Sequence, residues 1–123
     1  EEHMEELKLG VVEGKFADII WENEPVSSGT LVKLCEQQLE WKKSTTYTML
    51  KRLCERGIFQ NENGVVTALM SKKEFGAAQS EKVIEENFNG SLPAFLAAFA
   101  SRKKLSKKDV EEIQKMIDKM KED

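Results

Sequence analysis

The sequence has a single histidine, His3, only two cysteines, Cys35 and Cys54, and no glycine-rich phosphate loop. Hydrolytic or transfer chemistry needs a nucleophile with an oriented base, a metal set, or paired acids with supporting partners, and none of these can be assembled from the pattern. An enzyme is therefore not expected. Each cysteine lies inside an amphipathic helical pattern without a close-spaced His or Cys, so there is no zinc spacing, and both are read as reduced core residues. No metal or other cofactor is expected. No apolar run approaches the ~20 residues that span a bilayer, and no signal-peptide pattern opens the chain; the expectation is no membrane insertion and a cytoplasmic location. Met4 is read as the natural start, with Glu1 to His3 a remnant before it.

The chain has 123 residues, 40% of them apolar, enough for one modest core and an appendage but not for a second self-sufficient core. Its net charge is -3, yet the charge is unevenly placed. The forty residues before Trp41 hold ten acids, among them Glu13, Asp18, Glu22, Glu24, Glu36 and Glu40, against Lys8, Lys15 and Lys33. From Trp41 to Gly57 the balance reverses, with Lys42, Lys43, Lys51, Arg52 and Arg56 against Glu55 alone. Positive potential concentrated on one segment of an acidic body points to local, salt-sensitive contact with a polyanion.

Hydrophobic spacing organises the chain into helices. Val12, Phe16, Ile19 and Ile20 recur with helical period up to Trp21, and Glu24-Pro25 ends that run because the residue before proline avoids the helical region. Ser27 or Ser28 can cap a second helix with a Leu31, Leu34, Cys35, Leu39 stripe. After a short turn, Thr46, Met49, Leu50 and Leu53 give the basic helix one apolar face, ended by Gly57. Ile58 and Phe59 start a strand, Asn63-Gly64 signals a two-residue hairpin, and Val65 to Leu69 returns. Three helices followed by a hairpin form the winged-helix plan. The fold class is mainly α with a small β-hairpin wing: a winged helix-turn-helix over residues 5–72, followed by a three-helix C-terminal segment over 73–123.

That segment reads as a helix from Lys73 to Asn89, a short apolar helix with Leu92, Phe95, Leu96 and Phe99, and a last helix capped by Ser106 with Val110, Ile113, Met116, Ile117 and Met120 in a stripe. These faces exceed what so short a segment can bury alone. A second copy of the chain is the expected cover, with Phe88, Leu92, Phe95, Leu96, Phe99, Val110, Ile113 and Ile117 as dimerisation residues. The alternative is that the segment folds back as extra core.

The outward face of the basic helix carries small hydroxyls, one aromatic ring and long cations. Such a set suits the major groove, where hydroxyls reach base edges or phosphates and arginine can bridge a guanine. The candidate DNA-binding residues are Lys43, Ser44, Thr45, Tyr47, Thr48, Lys51, Arg52 and Arg56, the last as a phosphate anchor because recognition helices read bases mainly through their N-terminal half. The Arg102, Lys103, Lys104, Lys107, Lys108 cluster is read as a solvated connection.

With these elements placed, the chain resembles the penicillinase and methicillin-resistance repressor family, which also contains copper-responsive repressors. Leu9, Glu13, Phe16, Ile19 and Trp21 fall on that family's first-helix pattern. Trp41, Thr45, Thr48, Arg52, Leu53 and Gly57 match its basic helix, with Arg56 in place of Lys, and Gly90 to Leu92 and Leu105-Ser106 extend the likeness. The resemblance implies a homodimeric transcriptional repressor on a pseudo-palindromic double-stranded operator, released by an antibiotic or another stress signal. Antibiotic-responsive members are cut by a sensor protease at an Asn-Phe bond; the corresponding pair here is Ala98-Phe99, so cleavage there and a different inducing signal both stay open. Copper-responsive members end in a cysteine cluster, which has no counterpart after Cys54. Lys42 stands at the capping Ser, Gly14 at a position often Trp, and the wing from Gln60 to Thr67 has no Lys or Arg. A winged helix that binds protein rather than DNA is the alternative reading.

Overall fold

The computed structural model describes residues 9–123, so His3, Met4 and the expected domain start at residue 5 lie outside the described residues. Helix α1 (Val11–Asn23) opens at Gly10, whose N–H donates to Glu13 Oε1 at 3.1 Å. A carboxylate one turn in satisfies a donor that would otherwise have no partner within the helix. Beyond Pro25, Val26–Ser27 form a two-residue strand, β1, and Ser27 Oγ accepts from Thr30 N–H to cap α2 (Ser28–Leu39). Of the two serines that could cap this helix, Ser27 does so.

Helix α2 ends at Glu40, held in the left-handed region at φ 57°, and three residues later α3 (Lys43–Glu55) begins. The other end of α3 is a Schellman motif. Gly57 N–H donates to Cys54 O at 3.0 Å and Ile58 N–H to Leu53 O at 3.2 Å, with Gly57 at φ 81°. Leu53 and Ile58, brought together by that motif, are both fully buried.

Strands β2 (Phe59–Glu62) and β3 (Val65–Ala68) flank the Asn63-Gly64 turn, where φ values of 52° and 82° are those of a type I′ hairpin. The sheet is three-stranded and antiparallel in the order β1-β3-β2, with Val26 opposite Val66 and Phe59 opposite Ala68. The hairpin was expected from the sequence; the third strand was not. Ser28 N–H also donates to Gly64 O at 2.8 Å, which ties the tip of the hairpin to the start of α2.

Phe16, Ile20, Leu31, Cys35, Leu53, Ile58, Phe59 and Val66 are fully buried and form one core between α1, α2, α3 and the sheet. Trp21 lies at its edge, with its ring 5.3 Å from Phe59 and 5.7 Å from Phe75, and its indole N–H donates to Met70 O at 2.9 Å. A half-buried tryptophan finds both an apolar bed and an acceptor there. Phe16 stacks at a tilt against Trp41, with 5.2 Å between centroids, and that contact fixes the turn before α3.

Helix α4 (Lys72–Phe88) starts on a reciprocal Ser71–Glu74 cap, which holds the Glu74 carboxyl below its usual range through the Ser71 N–H. Asn89 and Gly90 then turn the chain at φ 50° and 78° into α5 (Leu92–Arg102), capped by Ser91, and α6 (Lys107–Glu122), capped by Ser106. The chain divides into two compact units, one running through Lys82 and the other Val83–Asp123, so the division falls within α4. In the second unit Phe88 meets Phe95 edge-on at 5.5 Å, and Phe95 stacks on Phe99 at 6.4 Å. No residue of α5 or α6 is buried. No helix among the described residues is long and apolar enough to cross a membrane.

Candidate nucleic-acid interface

Helix α3 separates its two faces cleanly. Thr46, Leu50 and Leu53 are buried against the core, while Lys43, Ser44, Thr45, Tyr47, Thr48, Lys51 and Arg52 are exposed within the chain. The buried Thr46 hydroxyl has the Cys35 thiol as its polar neighbour and makes no well-formed hydrogen bond. Burial pushes the Cys35 thiol above its ordinary value, and Thr46 offsets part of that rise. Met49 lies half-buried at the border of the two faces, where Arg52 Nη1 approaches its sulfur at 3.9 Å.

At its N-terminus α3 has Lys42 as the cap residue, and no side chain caps it. The first-turn N–H groups lack that side-chain acceptor, and Lys42 and Lys43 beside them are exposed. Backbone donors, the positive end of the helix dipole and two lysines together make an electropositive end suited to phosphate.

Further along, Tyr47 Oη donates to Ser28 Oγ at 3.2 Å, so the one tyrosine of the chain is braced by the first turn of α2. Tyr47, Leu50, Lys51, Cys54 and Asn61 line a shallow groove between α3 and β2. Burial raises the Cys54 thiol above its ordinary value as well. The wing contributes Asn61, Glu62 and Asn63 as exposed polar residues and no cation.

The arginines are arranged in a way the sequence did not reveal. Arg52 Nη1 lies 3.6 Å and Arg56 Nη1 3.5 Å from the same oxygen, Glu13 Oε2, on α1. The Arg52 side chain is still 52% exposed, Arg56 is 25% exposed, and Glu13 is 18% exposed. Arg52 thus stays accessible on the outward face, whereas Arg56 sits back at the helix end. Sequence reasoning missed Glu13, Ser28 and Asn61 as neighbours of this face. Only the capping role of Glu13 had a local signal, its position three residues after Gly10; its pairing with Arg52 joins two helices far apart in the sequence.

Comparison with known proteins agrees with this architecture. The family profile described as penicillinase repressor matches residues 9–119. The chain is 21% identical over 104 residues to a penicillinase repressor of Bacillus licheniformis, an alignment covering 81% of each protein. With a match that runs from the start of α1 nearly to the end of α6, the chain belongs to the penicillinase repressor family of transcriptional regulators.

Proposed function

We propose that this chain acts as a homodimeric repressor that binds a pseudo-palindromic operator by placing residues 44 to 52 of each copy in successive major grooves. The observation that carries the reading is the two-faced α3: its buried face fixes the helix to the core, and its outward face keeps hydroxyls, Tyr47, Lys51 and Arg52 accessible. The uncapped helix start with Lys43 supplies a phosphate anchor beside them, and Arg56 adds a second at the other end.

The C-terminal unit supports the dimer. Leu92, Phe99, Val110 and Ile117 are 41–59% exposed, and Val110, Ile113, Ile117 and Met120 follow a three-four-three spacing along α6. A stripe of that period is the usual seam between helices, and a second copy is the partner that a two-fold operator requires. Phe88, Phe95 and Leu96 are half-buried in the same unit and add apolar side chains to it. The boundary we assign between DNA-binding and dimerisation segments is residues 72 and 73, at the start of α4.

The working compartment is the cytoplasm, and release follows an antibiotic or other stress signal. Ala98 and Phe99 lie inside α5, where a protease could take their bond only after that helix unwinds. A salt titration of duplex binding tests the central claim. Log affinity should fall steeply with log salt, by about 0.9 for each phosphate neutralised. A flat dependence would remove the electrostatic basis of the proposal.

A second reading, a winged helix that docks another protein, draws support from the wing, which carries Glu62 and no cation. Exchanging Lys43, Lys51 and Arg52 for Glu separates the two. Loss of DNA retention with the oligomer intact supports the repressor; unchanged retention on DNA resin supports the docking module.

A further inference from the structure

Glu13 is charged where its structural task does not require charge. Its Oε1 accepts from Gly10 N–H at 3.1 Å, a role that a neutral amide oxygen also fills. Its Oε2 is shut off from solvent and accepts no hydrogen bond among the described residues, yet it lies 3.6 Å from Arg52 Nη1 and 3.5 Å from Arg56 Nη1. A committed arginine–carboxylate pair closes to about 2.7–2.9 Å and is commonly two-pronged. Here one oxygen faces one nitrogen of each guanidinium at longer range. The carboxylate attracts both guanidiniums through its field, and a phosphate oxygen can compete with it for Arg52, the more exposed of the two, while Arg56 stays to offset the buried charge.

Resting on the operator-binding reading, we infer that Glu13 is a specificity-determining positioning residue. It keeps Arg52 at the border of the DNA-facing surface and cancels part of the charge of Arg52 and Arg56 until a duplex that already fits α3 brings phosphate within reach of Arg52. Poorly fitting duplex cannot draw Arg52 away and gains little from it. The acidic first helix thereby suppresses sequence-independent binding, the competitor that any repressor meets in excess.

The test uses the full chain and a mixed-sequence duplex long enough for two half-sites, titrated with salt. Glu13→Gln keeps the acceptor for Gly10 and removes the charge. It should bind this duplex roughly 3–10-fold more tightly at moderate salt, with a slope steeper by about one to two phosphates' worth of counterion release. Adding Arg52→Gln and Arg56→Gln should abolish that gain. Glu13→Asp, which keeps the charge but draws it back by one methylene, should show a smaller gain and guards against misfolding of the amide variant. Unchanged or weaker binding by a folded Glu13→Gln, or a gain that survives loss of both arginines, overturns the inference while wild-type binding leaves the repressor reading intact. If neither protein holds duplex at low salt, both fall together.

Discussion

Tyr47 Oη and Ser28 Oγ, 3.2 Å apart, join the exposed face of α3 to the first turn of α2. The bond is exposed, so its net worth to folding is small, about 0.5 kcal/mol. Its effect should lie in the aim of the ring. Tyr47→Phe and Ser28→Ala should each lower duplex affinity a few-fold, and the double variant should be no weaker than the worse single. A double-mutant cycle measures this, and additive losses would show that the two side chains act independently.

Thr46 offers the opposite case, a hydroxyl 1% exposed with no well-formed hydrogen bond. A buried polar group so poorly satisfied costs stability, so Thr46→Val, which keeps the β-branch, should stabilise the first unit by about 0.5–1 kcal/mol. The urea midpoint should rise. A lower midpoint would mean that the Cys35 contact is worth more than its geometry indicates.

Glu40 adopts φ 57° without being glycine. A side chain in the left-handed region costs about 1–2 kcal/mol relative to glycine, partly offset by the greater chain entropy that glycine loses. Glu40→Gly should therefore raise stability by about 0.5–1 kcal/mol, and removing an acid from the turn before α3 should also favour duplex binding. Thermal unfolding checks the first effect and a binding titration the second.

Both thiols are pushed above their ordinary value of 9.0 by burial. The native chain should react slowly with a disulfide reagent at mildly alkaline pH, and much faster in denaturant. The linkage has a sign: the folded state keeps these protons where the unfolded chain loses them. Their contribution to stability is whole below the unfolded thiol value and declines as pH rises past it. Rapid native reaction of either cysteine would contradict the burial argument.

Ile117 is 41% exposed in the middle of the α6 stripe. Ile117→Glu should convert a dimer to a monomer in sedimentation while leaving helix content nearly unchanged, because an exposed helical site tolerates glutamate. A monomeric wild-type chain at micromolar concentration would contradict the proposed assembly.

Much of the architecture could be read from local signals. Gly57, Asn63-Gly64 and Ser106 announce a helix end, a hairpin and a helix start through backbone preferences that each residue carries by itself, and all three act as expected. The faces of α3 followed from spacing alone. Strand β1 was invisible because two residues set no period, and its pairing with Val65 and Val66 is non-local. The same limit hid the Glu13 link to the arginines and the Trp21 bond to Met70, which depend on how α1 packs rather than on any neighbouring residue. What spacing identified in the site was the set of exposed side chains; what it lacked was the acid that holds two of them.

Both tryptophans, Trp21 and Trp41, and the single tyrosine precede Lys82, whereas α5 and α6 contain only phenylalanine among the aromatics. Intrinsic fluorescence excited at the indole band consequently reports the first unit and is blind to the second, while circular dichroism weighs every helix. Following one denaturant titration with both signals turns that accident of composition into a gauge of coupling: superimposed curves mean that the two units melt as one, and a lag in either curve shows which gives way first.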